Sequence, residues 1–423
     1  MRALPLHLPA LRHRNFRLLW TGQLISVSGT MMQTAAILWH VSLLVPPGRK
    51  GLALGLVGLV RVVPIIAFSL LSGVVADVLD RRRLMLATQA AMGVLAAALA
   101  VLAFQGLQAV WPIYLLAGLT SAASAFDAPA RQSLIPNLVP REHLPNALSL
   151  NTIVFQAASV AGPSLAGLVI GVGGVAWAYA INALSFLAVI AGVLLMRDVR
   201  SSSSSEAGEI SLAAAREGIR FVFASPMIRS TMLLDFFATF FASATALLPI
   251  FAQDILRVGA RGYGLLYAAP SAGALVASVA MVRAVDGIRR RGLTLLWSVA
   301  VYGAATVVFG VSRSFWLTFA CLAALGAADT ISTVLRNVIR QLETPDHLRG
   351  RMVGVNMVFF MGGPQLGEFE AGLVANWVGA AWSVVSGGIG SLVATAWVAG
   401  ATPALRGYGS ADPHQPRALR PSP

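Results

Sequence analysis

The sequence predicts an all-helical membrane protein whose twelve transmembrane helices form two six-helix repeats. The first observation is composition: 57% of the 423 residues are hydrophobic and 11% charged, with a mean hydropathy of +0.75. A soluble domain carries about 25% charged residues, so this chain has too little polar surface to solvate a globule. The second is that apolar runs long enough to cross a hydrocarbon core of about 30 Å recur from end to end. They are continuous and rich in Leu, Ala and Val, where a transmembrane β-barrel would show short alternating segments. The third is internal repetition. The stretches 131–163 and 336–364 share an initial Arg, a His-Leu in the following loop, an Asn early in the next helix and a Gly-Pro within it, and basic triplets stand at 81–83 and 289–291.

Cutting the chain at charged, Pro/Gly-rich and Ser-rich breaks places the spans at 16–45, 52–76, 84–104, 109–130, 148–172, 176–196, 227–252, 263–285, 292–311, 316–339, 352–374 and 380–401. The apolar run after Arg2, Arg12, Arg14 and Arg17 has no cleavage site and reads as a retained first span. The expected organisation is an N-terminal tail (1–15), a six-helix half (16–196), a linker (197–226), a second six-helix half (227–401) and a disordered tail (402–423). Within the linker, SSSSSEAGE reads as flexible chain, followed by an amphipathic segment with Arg216, Glu217 and Arg220 on its polar positions. A repeated unit of one topology implies halves related by an axis along the membrane normal, with a site between them near the midplane.

The net charge of +14 comes from 31 basic against 17 acidic residues. These bases fall between the apolar runs and not on one stripe, so they read as topology determinants, and no nucleic-acid partner is expected. Twenty-five lie on the side of the termini and linker, five on the other (Arg49, Lys50, Arg257, Arg261, Arg313), and Arg61 falls within a span. The positive-inside rule then makes both termini and the linker cytoplasmic. Lys50 is the one lysine among thirty arginines, and the single cysteine, Cys321, is expected to be a small core residue that cannot form an intramolecular disulfide.

GVVADVLDRRR (73–83) fits the GxxxDxxxRR loop between helices 2 and 3 of the major facilitator superfamily, which the chain therefore resembles. More narrowly, RNFRLLWTGQLIS (14–26), FDAPARQSLIPNLVPREHLPNALSLN (126–151) and GPQLGEFEAGLV (363–374) look like its enterobactin-exporter-like branch, the transmembrane secretion effectors. The resemblance implies the major facilitator fold in a bacterial inner membrane. It implies a secondary transporter exporting an amphipathic siderophore, drug or metabolite by alternating access with proton antiport. An importer or facilitator on the same fold, or a non-transporting receptor or scaffold, is the alternative.

Site residues follow. The resemblance implies a cytoplasmic gate of Gly73, Asp77, Arg81, Asp127 and Arg131, with Asp77 at the start of helix 11 near Met352 and Arg81 opposite Asp127. Asp80 is a competing partner for Arg81. Gly162, Pro163 and Gly167 in AASVAGPSLAG approximate the antiporter pattern of helix 5, ordinary small-residue packing being the other reading. Ionisable groups inside spans are costly and therefore functional candidates. Arg61 lies about 14 Å into helix 2 and Glu368 at similar depth in helix 11; an Arg61–Glu368 bridge closing the periplasmic side is expected, the alternative being pairing within each half. Glu370 sits about 200° further round the helix. Asp235 in helix 7 is a candidate proton site, with Arg229 as the other possible use of its charge; Glu368 and Glu370 complete the proton-coupling candidates. Asp329 is expected to pair with the 289–291 triplet. Gln23, Gln33, Phe237 and Phe241 are expected to line an aromatic, weakly polar cavity.

Six histidines show no metal spacing and no phosphate-binding glycine loop is present, so no metal, cofactor or enzymatic activity is expected. The expected partners are a small-molecule substrate, protons and the lipid bilayer, the chain being a monomer.

Overall fold

The computed structural model describes residues 9–197, 212–243, 245–345 and 348–409, and all its regular structure is helical. The side chains of Gly73 and Asp77 lie outside the described residues. Before the linker stand α1 (Arg14–Leu44), α2 (Lys50–Val78), α3 (Arg81–Phe104), α4 (Trp111–Leu134), α5 (Leu144–Gly173) and α6 (Val175–Leu194). The amphipathic linker segment forms α7 (Leu212–Ala224). It is followed by α8 (Pro226–Phe241), the short α9 (Leu248–Ile250), α10 (Gly259–Ala284), α11 (Arg291–Val311), α12 (Phe315–Glu343), α13 (Arg349–Val378), α14 (Ala380–Ala401) and α15 (Pro403–Arg406). Eleven of the twelve expected spans each fall on one of these helices, within a few residues at each end.

Nine helical segments among the described residues are long and apolar enough to cross a membrane, and α1, α4 and α13 fall outside that set. All three have the length, but they carry the polar residues: Gln23, Gln33 and His40 in α1, Asp127 and Arg131 in α4, Gln365, Glu368, Glu370 and Asn376 in α13. A helix that turns much of its surface toward other helices does not have to be apolar all round. The seventh span differs from expectation by being broken. α8 stops at Phe241 and the chain resumes as a 3-10 turn at Thr245–Leu247, then α9, then a π-helical turn at Phe251–Ile255. Pro249 has no N–H to give the Thr245 carbonyl, and its ring crowds that carbonyl, which weakens the helix at this point.

Helices on each side of the linker pack mainly among themselves, α1 with α5 and α6, α10 and α11 with α12, α8 with α13 and α14. The two sets meet chiefly where α2 crosses α13 and α5 crosses α10. Both crossings are glycine on glycine. A Cβ on Gly372 would stand 2.7 Å from the Gly55 Cα, and one on Gly264 would stand 2.7 Å from the Gly167 Cα and 2.6 Å from the Pro163 carbonyl oxygen. Gly55 and Gly264 are each the sixth residue of their helix, Gly167 and Gly372 each the twenty-fourth. The chain's repeat is therefore written into the contact between its two parts. Gly264→Val is expected to lower stability by about 1–3 kcal/mol through overpacking, measured as a drop in thermal midpoint of the purified protein. Gly48→Val, where a Cβ meets nothing within 4 Å, is the matched control with little change.

The largest apolar core lies at the end away from the linker and draws on both helix sets, from Met32–Val41 and Leu54 on one side to Ala246–Ala252, Tyr263 and Phe309 on the other. Toward the linker end the cores among the described residues are separate. One holds Phe16, Met85, Leu150 and Val193, all before the linker, and another Leu234, Leu295, Leu335 and Val398, all after it.

Candidate functional site

The polar links between the two helix sets repeat this one-sidedness. At the far end the Lys50 ammonium, at the start of α2, donates to Gln253 Oε1 (3.1 Å) and to both Asp254 oxygens (3.2 and 3.0 Å). Gln253 Nε2 in turn donates to the Ser42 hydroxyl of α1 at 2.7 Å, and the Tyr263 hydroxyl to the Ala35 carbonyl at 2.8 Å. The Lys50 side chain is 9% exposed and that of Asp254 45%. Both Gln253 and Asp254 belong to the π-helical turn, a form concentrated at functional sites. Arg257, three residues on, has a φ of 55°, an uncommon conformation for a residue with a side chain. No hydrogen bond joins the two helix sets at the linker end among the described residues.

Between the ends lies a buried charge cluster. Asp235 is the tenth residue of α8, and its Oδ1 stands 2.8 Å from Arg336 Nη2 of α12, its Oδ2 3.6 Å from Arg340 Nη2. The same Nη2 of Arg336 is 3.6 Å from Asp329. Arg336 also donates to the hydroxyls of Ser332 and Thr333, both at 2.8 Å, and Arg340 to Asn356 of α13. The assembly holds two carboxylates and two guanidiniums and is formally neutral, the condition under which charges are tolerated away from water. Two sequence expectations are corrected here. Asp235 pairs with Arg336 and Arg340 and not Arg229, whose guanidinium donates to the Phe223 carbonyl. Asp329 faces Arg336 and not the 289–291 triplet. Arg336, counted among the linker-side bases, is itself almost wholly buried.

The first helix set carries a weaker version of the same link. Gln23, the tenth residue of α1, accepts from Arg131 Nη1 of α4 at 3.3 Å. Asp127 accepts from Thr88 (3.0 Å) and Gln89 (2.9 Å) of α3 and lies 3.7 Å from Arg131 Nε. A carboxamide thus stands where α8 has Asp235. Buried N–H groups without a hydrogen-bond partner, Gln23 Nε2 and Arg131 Nε here, Arg336 Nε and Arg340 Nε there, remain at both places.

Other expected contacts are redistributed. Arg81 donates to the Ser133 carbonyl at 3.1 Å in place of meeting Asp127, and Asp80 caps α3 by accepting from the Arg83 N–H at 2.8 Å. Gly167 lies at the α5–α10 crossing, whereas Gly162 faces Ser28 and Met31 of α1. α2 and α13 do face each other, and Glu368 Oε2 would touch a Cβ on Gly58 at 3.0 Å. Arg61 is within electrostatic range of Glu368, together with Tyr267, but the pair does not reach ion-pair distance. Glu370 is half-buried on another face. Gln33 accepts from Asn182 of α6 at 2.7 Å and so turns away from the centre. Phe237 and Phe241 stack on each other on the side of α14, against Trp397 and Gly390 respectively, while Phe236 meets Phe359 of α13. Cys321 is buried in the core.

Similarity to known proteins agrees with this architecture. Residues 7–417 match the family described as transmembrane secretion effector. The enterobactin exporter EntS of Salmonella typhi is 29% identical over 287 residues, 68% of each chain, and that of Escherichia coli O1:K1 is 26% identical over 344 residues, 81% of each. Among solved structures, a bacterial homolog of the human lysosomal transporter Spinster, inward-facing and unoccupied, superposes with a TM-score of 0.72 at 14% identity, covering 94% of this chain and 98% of that one. A bacterial homologue of the iron transporter ferroportin gives 0.66 at 16% identity, covering 92% and 98%. The chain is a multi-pass membrane protein with a transporter fold, and it belongs to the transmembrane secretion effector family of the major facilitator superfamily.

Proposed function

We propose that this protein is a bacterial inner-membrane exporter that moves a small amphipathic molecule outward by alternating access, in exchange for protons. The observation that carries the reading is the one-sided closure: among the described residues, the shared core and the hydrogen bonds between the two helix sets lie at the end away from the linker. The excess of basic residues at the linker end makes that end cytoplasmic, so the chain stands ready to receive substrate from the cell interior. The curated relatives named as enterobactin exporters support the outward direction. Coupling is assigned to the Asp235–Arg336–Arg340 cluster, because a charge assembly inside a span is costly and is retained where it serves an ion pathway. Gly73, Asp77, Arg81, Asp127 and Arg131 form the cytoplasmic gate in the opposite conformation.

The test uses inside-out vesicles energised to an acid interior, with a pH-sensitive dye reporting proton release as siderophores and amphipathic drugs are added singly. Dequenching by one compound class in wild type, lost in Asp235→Asn, is the expected outcome. Proton release that persists in Asp235→Asn removes the coupling role, and silence toward every compound by folded protein removes proton-coupled export.

A further inference from the structure

A cavity of about 130 Å³ lies among the helices after the linker, lined in part by Thr245, Pro270, Tyr302, Phe309, Leu325 and Asp329. It is close in size to the engineered apolar cavity of about 150 Å³ that takes up benzene. Asp329 is the one formal charge on its wall. Although it lies midway along α12, its side chain is 46% exposed, and its ion pair with Arg336 at 3.6 Å is too long for a hydrogen bond. Arg336 is committed elsewhere, at 2.8 Å to Asp235 and to two hydroxyls. Asp329 therefore keeps capacity for a second cation, and the Tyr302 and Phe309 rings beside it suit both an apolar body and a positive head.

We infer that this cavity binds the ammonium end of a small amphipathic amine at Asp329, in exchange for a proton on Asp235, with Arg336 linking the two carboxylates. This rests on the proton-exchange reading above and names its substrate class. The charge count makes proton and ammonium mutually exclusive. Asp235, Asp329, Arg336 and Arg340 sum to zero. Among the described residues the elements packed around them add no further charge there: α10 presents Pro270, α11 presents Tyr302, α13 presents Asn356, and α14 contains no charged residue. One added positive charge, proton or ammonium, is tolerable, whereas two repel strongly beside Asp235, Arg336 and Arg340, whose side chains are almost wholly buried. When an ammonium docks on Asp329, Arg336 turns wholly to Asp235. The Asp235 O–H bond then breaks, and its proton passes to water at the open end. A proton arriving on Asp235 from the other side releases Arg336 toward Asp329 and expels the amine. One cation replaces the other, and binding coupling of this kind is reciprocal.

The test uses purified full-length protein in weakly buffered detergent with a pH dye, probed with n-butylammonium, n-butanol and n-butanoate. Butylammonium is expected to raise the thermal midpoint and, in protein first equilibrated at a pH low enough for Asp235 to carry a proton, to release about one proton per amine bound; the alcohol and the anion do neither. Asp329→Asn is expected to bind the amine at least about tenfold more weakly, with Asp329→Glu restoring it and reporting that the fold tolerates change there. Asp235→Asn, which fixes the charge of the protonated carboxyl, is expected to lose both the thermal shift and the proton release. An unchanged thermal shift in Asp329→Asn, or an equal response to butanoate, overturns the site. Binding through Asp329 without proton release from wild type overturns the exchange, and with it the antiport. Proton release driven by a siderophore in vesicles while butylammonium stays inert keeps the antiport and overturns this cavity as its substrate site.

Discussion

Arg336→Leu is expected to lower the stability of the purified protein by about 3–5 kcal/mol, the cost of leaving a buried charge without its partner. Arg336 serves two carboxylates with one Nη2 and fills both of its terminal nitrogens. Its removal strands Asp235 with Arg340 at 3.6 Å, itself held by Asn356, and leaves Asp329 with no ion partner among the described residues. The double variant Arg336→Leu/Asp235→Leu is expected to recover only part of the loss, because an apolar pair replaces the buried ion pair at little cost while Arg340 loses its carboxylate partner. Denaturant or thermal unfolding of the two single variants and the double gives the coupling directly. Additive losses would mean that the two residues do not depend on each other.

Lys50→Ala is expected to favour opening at the far end by about five- to thirtyfold, the effect of one to two kcal/mol on a two-state ratio. The ammonium makes three hydrogen bonds from an almost buried position, and bonds to a charged group are the stronger kind. Asp254 is half-exposed, so water takes over part of what Lys50 supplied and the gain stays near this range. The readout is labelling of a cysteine placed at Ala246, which is fully buried in the shared core, by a membrane-impermeant maleimide in a Cys321→Ser background. Labelling should quicken in Lys50→Ala and stay slow in Lys50→Arg. Equal rates would show that the shared core alone keeps this end shut.

The element order was legible in the sequence because a membrane span is a one-dimensional signal: an apolar run of sufficient length between charged breaks. The resemblance implies the facing of helices 2 and 11, and Gly167 stands out in the sequence as a small residue of helix 5, whereas its partner Gly264 does not. Partner choice was not legible. Sequence proximity offered Arg229 to Asp235, yet Arg336, over a hundred positions away, holds it. Arg336 was counted as a topology charge because it lies near the end of an expected span, where a long side chain ordinarily reaches water. A signal for it was present nonetheless. The repeat aligns Arg131 with Arg336, and the tenth residues of α1 and α8 are Gln23 and Asp235, so one mirrored polar link between the first and fourth helices of each repeat accounts for all four. Lys50 had a signal of its own, one ammonium among thirty guanidiniums. Periodicity identifies a common face of a helix without saying which neighbour that face meets, so the packing of Phe237 and Phe241 beside α14 has no sequence signal.

The glycine crossings set a lever. With Gly55 and Gly264 sixth in their helices, the arm toward the far end is about 8 Å; with Gly167 and Gly372 twenty-fourth in theirs, the arm toward the linker end is about 35 Å. A tilt about these fulcrums therefore moves the linker-end tips about four times as far as the far-end tips. Changing the crossing angle by a few degrees, as a methyl group at either glycine pair would do, displaces the long arms by ångströms while the short arms hardly stir. Distance probes for gating in this protein belong on the long arms, and the short arms require only contacts of hydrogen-bond reach to hold them.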